Sequence, residues 1–156
     1  MGSDQGFPAL ALSVMLGTVG AFLADDRIDA SLPGGDTWPV VVGLTMFWIG
    51  VAIRAWSIRT LGRFFRFEVV VLSDHRVIDT GPYRLVRHPS YTGGLLAFTG
   101  VGVALDNWLS VASLLVLPLI GYLQRIELEE AVLTAGLGED YRRYKQRTKR
   151  LIPGVW

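Results

Sequence analysis

The sequence predicts an all-α, polytopic membrane protein, and three observations carry that prediction. Hydrophobic residues make up 51% of the 156 and charged residues only 19%, where a soluble domain usually has about a quarter charged; mean hydropathy is +0.39. The apolar residues gather into four runs. The charges between those runs alternate in sign. A chain of this length is about one domain, so any chemistry is expected within the membrane unit itself.

The first run extends from Pro8 to Ala24 and the second from Trp38 to Ile53, both near the short end of the roughly 20 residues that cross a ~30 Å hydrocarbon core. No basic residue precedes the first run and no small-residue cleavage site clearly ends it, which argues against a secretory leader. The third run, Tyr91 to Leu105, is shorter and reads as one arm of a helical hairpin; the fourth, Trp108 to about Leu123, is the other arm. About four transmembrane helices are therefore expected. Gly93, Ala97, Gly100 and Ala104 stack small residues on one helix face and invite a close neighbour. From Arg125 to Lys145, Glu and Leu/Ala positions alternate at helical spacing, so a tail helix should extend the fourth run past interruptions at Gly136 and Gly138. Pro153 forbids its continuation.

Between the first two runs Asp25, Asp26, Asp29 and Asp36 oppose Arg27 alone, and Asp106 occupies the hairpin turn. Between the second and third, Arg54, Arg59, Arg63, Arg66, Arg76, Arg84 and Arg87 outnumber Glu68, Asp74 and Asp79, and the tail is also basic. Lys and Arg accumulate on the cytoplasmic side. Both termini and the long middle segment are thus expected to be cytoplasmic in an integral, multi-pass protein. Basic residues after Arg142 read as a contact with anionic lipid; Tyr141 and Tyr144 read as packing residues, and Glu127 and Glu130 as a solvated helix face.

The middle segment is too long to be an ordinary loop and too apolar to be disordered, because Phe64, Phe65, Phe67 and the Val69 to Leu72 stretch are interleaved with arginines. Gly81-Pro82 forces a turn and Pro89 opens a helix with His88 at its cap. A helix N-terminus beside several arginines makes an anion site. Cysteine is absent and there are two His residues, without HExxH spacing, so no metal site is expected. No GxGxxG follows a strand, so no soluble nucleotide-binding fold competes, and no nucleic-acid partner is expected.

The stretch Gly81-Pro82-Tyr83-Arg84-Leu85-Val86-Arg87-His88-Pro89-Ser90-Tyr91-Thr92-Gly93 is followed by Arg125-Ile126-Glu127-Leu128-Glu129-Glu130, then Gly138-Glu139-Asp140-Tyr141, then Arg150-Leu151-Ile152-Pro153. Together these resemble the signature of the isoprenylcysteine carboxyl methyltransferase family of integral-membrane enzymes, over roughly residues 50 to 156. The resemblance implies an S-adenosylmethionine-dependent methyltransferase, with S-adenosylhomocysteine as product and a lipophilic acceptor entering from the bilayer. That acceptor is an isoprenylcysteine-like or other hydrophobic acid, such as a prenylated protein C-terminus or a small lipid. By the same resemblance the cofactor site is His75, Arg76, Val77, Ile78, Tyr83, His88, Pro89, Ser90 and Tyr91, closed by Glu129. Arg54 and Arg125 are the acceptor-side arginines. Arg76 and Glu68 depart from the family pattern. Residues 1–53 would form an N-terminal helix pair, and 54–156 the cofactor-binding catalytic core.

Methyl transfer rests on aligning two reactants and excluding water. A carboxylate acceptor needs no general base, and Arg54 and Arg125 suit it because guanidinium matches carboxylate geometry and stays charged when partly buried. Glu129 lies one helical turn beyond Arg125 on the same face. A thiol, phenol or amine acceptor would instead require His88 or Glu129 to take a proton. Other readings of the same chain are a small transporter, a non-catalytic scaffold, and a membrane reductase of related architecture using nicotinamide.

Overall fold

A computed structural model describes residues 6–34, 37–64 and 77–156. Four helices dominate it: α1 (Gly6–Arg27), α2 (Trp38–Leu61), α3 (Pro89–Ala104) and α4 (Trp108–Arg147), with short 3-10 turns at Gly62–Phe64 and Gly81–Arg84. They pack in the spatial order α2, α3, α4, α1. The chain is an integral membrane protein: among the described residues three helices, those carrying α1, α2 and α4, are long and apolar enough to cross a bilayer, and only 17% of the most apolar window of α1 and of α2 is buried. Side chains such as Met15, Phe22, Val41 and Trp48 point outward, which is stable only in an apolar solvent.

Where the sequence suggests about four spans, three helices among the described residues have the length and apolarity of a span, and α3 is shorter. At 16 residues, α3 is about 24 Å long. Pro89 sets its start, and its last turn closes where Leu105 N donates to Val101 O at 3.1 Å. Asp106 then takes φ 54° and Asn107 caps α4, its Oδ1 accepting from Leu109 N at 2.9 Å and Ser110 N at 3.2 Å. This cap is worth about 1 kcal/mol. The Asn107 amide also donates to Ile28 O at 2.7 Å, so one buried side chain closes the end of α1 and the start of α4. Leu32 N donates to Asp106 Oδ1 at 3.1 Å, which brings the two acidic loops together at one end of the bundle.

The small-residue face of α3 meets α2, not α4. A methyl added at Gly50 would lie 2.5 Å from Gly93 O, and one added at Gly43 2.5 Å from Gly100 O. The two backbones touch with no side chain between them. On the other side of the row, Ser110 Oγ of α4 donates to Ala21 O of α1 at 2.7 Å, a polar tie where water cannot compete. α2 runs on to Leu61 before Gly62, at φ 53°, returns its N–H to Ile58 O. Arg54 therefore sits inside α2 and not just beyond it.

The tail extends α4 as the spacing predicts, and the break falls at Gly138, whose φ of 59° and ψ of −127° lie outside helical values. Gly136 stays helical. The segment after Gly138 is positioned for contact with the α3 start.

Replacing Gly50 by Val should force α2 from α3 and destabilise the protein by about 1–3 kcal/mol, read as a lower Tm in detergent. Gly20→Ala meets only the rotatable Ser113 side chain, at 3.3 Å, and should cost less. Equal Tm values for wild type and Gly50→Val would contradict the close crossing.

Candidate active site

Pro89 fixes the first turn of α3 and leaves His88 at the N-cap with φ −124° and ψ 56°, its side chain making no cap bond. The imidazole is thereby free to turn toward α4. It is 6% exposed and lies between two consecutive carboxylates, Nδ1 3.5 Å from Glu129 Oε2 and Nε2 3.4 Å from Glu130 Oε1. Adjacent residues on a helix point about 100° apart, which lets one reach each ring nitrogen. Burial alone would lower the His88 pKa, but the hydrogen bonds and charges of Glu129 and Glu130 outweigh it and hold the group above its ordinary value. With both nitrogens facing acceptors, the protonated form is the one that satisfies the site.

The ring of His88 is nearly parallel to Tyr91, with centroids 5.5 Å apart, and Tyr91 stacks in turn on Tyr122 at 4.7 Å. Tyr91 Oη donates to Glu129 Oε2 at 2.9 Å and accepts from Arg125 Nε at 3.0 Å. Tyr122, Arg125 and Glu129 recur at helical spacing on one face of α4, opposite the start of α3. Arg54 reaches the same turn from α2, its Nη1 donating to Ser90 Oγ at 3.1 Å and Ser90 O at 3.3 Å. Ser90 and Tyr91, neighbours in sequence, thus each hold one arginine. Arg125 is 5% exposed.

Of the residues the sequence singles out, the structure gathers Arg54, His88, Ser90, Tyr91, Arg125 and Glu129, with Pro89 buried beneath them. Tyr83 is buried nearby, its hydroxyl pKa raised by burial and then by the Glu129 charge. Its carbonyl accepts from Tyr144 Oη at 2.7 Å. Val77 and Ile78 are half-buried on the approach to the Gly81 turn. His75, Arg76 and Glu68 lie outside the described residues.

Glu130 corrects the helical-face reading. Glu127 is exposed, but Glu130 is 3% exposed and its carboxylate takes Arg87 Nε at 2.8 Å, Lys145 Nζ at 3.3 Å and Arg150 Nη2 at 3.3 Å besides His88. A buried carboxylate requires such partners. Arg87 Nη1 also donates to Lys145 O, at 3.1 Å, and to Thr148 O, which ties down the end of the tail helix. Backbone bonds complete the brace: Arg87 N to Lys149 O at 2.8 Å and His88 N to Arg150 O at 3.0 Å. Two of the tail cations expected to contact lipid, Lys145 and Arg150, are therefore spent on Glu130, and Arg147 pairs with Asp79 at 2.7 Å. Tyr141 and Tyr144 are buried packing residues, as the sequence suggests.

A family model described as phospholipid methyltransferase matches residues 38–140, which spans α2, α3 and the site-bearing part of α4. The chain belongs to the phospholipid methyltransferase family. Curated relatives bear names that agree with the motif resemblance. Protein-S-isoprenylcysteine O-methyltransferase B of Arabidopsis thaliana is 33% identical over 120 residues, 76% of this chain and 61% of its own length. The Homo sapiens protein-S-isoprenylcysteine O-methyltransferase is 34% identical over 121 residues, 76% of this chain and 43% of its own. A solved structure of a eukaryotic intramembrane Ras methyltransferase, isoprenylcysteine carboxyl methyltransferase, superposes with TM-score 0.72 at 27% identity, covering 98% of this chain and 53% of that one. This family member thus spans about three fifths of the plant relative and about half of the solved structure.

Two measurements check the site's electrostatics. Glu130→Ala removes the carboxylate that Arg87 and His88 share in the interior, and loss of one partner of a buried pair costs about 3–5 kcal/mol; the Tm should fall far more than in Glu127→Ala, which removes an exposed charge. The raised His88 pKa stabilises the fold in full below the unfolded value of about 6.5, and that contribution is lost as pH rises through the folded value. Tm should accordingly decline on the alkaline side, and His88→Ala should flatten that limb. A limb unaltered in His88→Ala would contradict the ion pairs.

Proposed function

We propose that this chain is an integral-membrane methyltransferase that transfers a methyl group from S-adenosylmethionine to the carboxylate of a lipophilic, isoprenylcysteine-like acid. The observation that carries the reading is the pairing of two held arginines with a histidine whose two ring nitrogens both face carboxylates. Arg54 and Arg125 converge on the start of α3 from α2 and α4, a fork that suits an anionic acceptor. His88 has both ring nitrogens turned to Glu129 and Glu130, which leaves neither directed at an acceptor to remove its proton. An acceptor that is already ionised needs no such base. That favours a carboxylate over a thiol, phenol or amine.

The residues present fit the cofactor. Glu129 commits one oxygen, Oε2, to Tyr91 and His88, and its side chain remains 25% exposed, so the carboxylate would be within reach of an ammonium group. Glu129, His88, Pro89, Ser90, Tyr91 and Tyr83 would hold it, joined from the preceding segment by His75, Arg76, Val77 and Ile78. When bound, the cofactor supplies an electrophilic methyl on a sulfonium centre. The chain's part is alignment: Arg54 and Arg125 orient the acceptor carboxylate, the His88–Tyr91–Tyr122 stack excludes water, and Glu129 neutralises positive charge beside the arginines. The positive-inside pattern supports a cytoplasmic location for this end and for both termini.

The test is methyl transfer from radiolabelled S-adenosylmethionine to a prenylcysteine acid and to its amide, with cofactor affinity measured by calorimetry. The acid should be methylated and the amide not. Glu129→Ala should weaken cofactor binding roughly 10- to 100-fold, the worth of one charged hydrogen bond. Arg125→Ala should lower transfer by a similar factor at unchanged cofactor affinity. Equal methylation of the amide, or no cofactor binding by a folded protein, would overturn the reading.

A further inference from the structure

Exposed apolar side chains on α1, α2 and α4 need no explanation beyond the bilayer. A second set lies outside the helices. Leu85 is 59% exposed, Ile152 53%, Val155 70% and Trp156 41%, all outside the four long helices. They are not scattered at random in space. Val86 and Lys149 form a parallel bridge, so the Gly81 turn and the segment 149–156 are one unit. A methyl on Gly81 would come within 3.4 Å of Trp56 Nε1, and Trp56, on the last turns of α2, is itself 52% exposed.

The depth of this unit follows from its contacts. Thr92 Oγ1, in the first turn of α3, donates to Leu151 O at 2.8 Å. That is the turn whose Ser90 holds Arg54, and Arg54 marks where the apolar part of α2 gives way to arginines. The segment 151–156 therefore lies level with the apolar-to-charged boundary of the helices, where a bilayer changes from acyl chains to headgroups. Leu151 N and Ile152 N both donate to Trp156 O, at 2.9 and 2.8 Å, which holds the segment in a closed turn with Ile152 and Val155 projecting. The guanidinium of Arg150 sits 5.3 Å from the Trp156 ring. Arg84 and Lys149 are exposed, and neither 80–88 nor 148–156 contains an Asp or Glu.

We infer that Leu85, Ile152, Val155 and Trp156, with Arg84 and Lys149, form a docking surface that seats the His88 loop in the headgroup layer of an anionic bilayer. Tryptophan with apolar side chains is favoured at that level, and each exposed cation near an anionic surface adds to the attraction. The surface continues that of the helices already in the membrane, and its charge matches the lipid. Because His88 N is bonded to Arg150 O and Arg87 N to Lys149 O, seating the segment also steadies the backbone that carries the imidazole.

The chain has no cysteine, so Val155→Cys provides a unique site for a nitroxide label, and Glu139→Cys a solvent-facing reference. Each labelled protein is reconstituted in phosphatidylcholine vesicles with and without phosphatidylglycerol, whose anionic headgroups charge the surface, and its accessibility to oxygen and to an aqueous nickel chelate is compared. The label at 155 should favour oxygen and the label at 139 the chelate. Phosphatidylglycerol should deepen position 155, and the pair Arg84→Gln, Lys149→Gln should abolish that response. A label at 155 that reads as water, one protected from both reagents as in a protein interface, or one indifferent to phosphatidylglycerol would overturn the inference. Cofactor affinity measured on the same samples keeps this outcome separate from the proposed methyl transfer.

Discussion

Two consecutive carboxylates grip one imidazole, and the basic end of the bundle is organised by that grip. Glu129 and Glu130 lie 3.5 and 3.4 Å from opposite nitrogens of His88. Neither carboxylate is left with His88 alone. Glu129 is shared with Tyr91, and through Tyr91 with Arg125; Glu130 is shared with Arg87, Lys145 and Arg150. One side of the grip therefore faces the place where chemistry would occur, and the other anchors the tail. Buried charges of this kind are costly unless fully paired, and here each is paired with a group from another element.

Helix packing makes the grip possible. α3 must approach α2 closely enough for Arg54 to reach Ser90, and the glycine contacts at Gly50 and Gly93 permit it. α4 must present Tyr122, Arg125 and Glu129 on the face toward α3, which helical spacing does. The break at Gly138 then turns the rest of α4 so that its end meets Arg87. At the opposite end, Asn107 joins α1 to α4, so the row of helices is tied where it carries no site.

Much of this was legible in the residues. Apolar runs and alternating charge identify the helices, the Gly81-Pro82 and Pro89 signals locate the turn and the start of α3, and the motif resemblance points to Arg54, His88, Tyr91, Arg125 and Glu129, which the structure brings together. Glu130 was not legible, because helical spacing reads a glutamate next to another glutamate as solvated; its burial depends on Arg87, forty-three positions earlier, and on cations beyond the Gly138 break. The same long-range pairing removes Lys145 and Arg150 from the lipid-facing set and leaves Arg84 and Lys149 in it. The short length of α3 was visible in its run, but its choice of α2 as the close partner was not, since a stripe of small residues does not name its neighbour. His75 and Arg76 lie outside the described residues.

The central claim is that His88 is held protonated by its two carboxylates, so that it orders the site and does not act as a base. The direct measurement is the nitrogen NMR spectrum of the ring in protein labelled at histidine, with His75→Gln leaving His88 as the single signal, recorded across pH. Both ring nitrogens should keep their protons to a pH above the midpoint of an ordinary histidine, about 6.5, and the Glu130→Gln variant should lower the transition. A ring that loses its proton near pH 6.5 in the wild type would contradict the account.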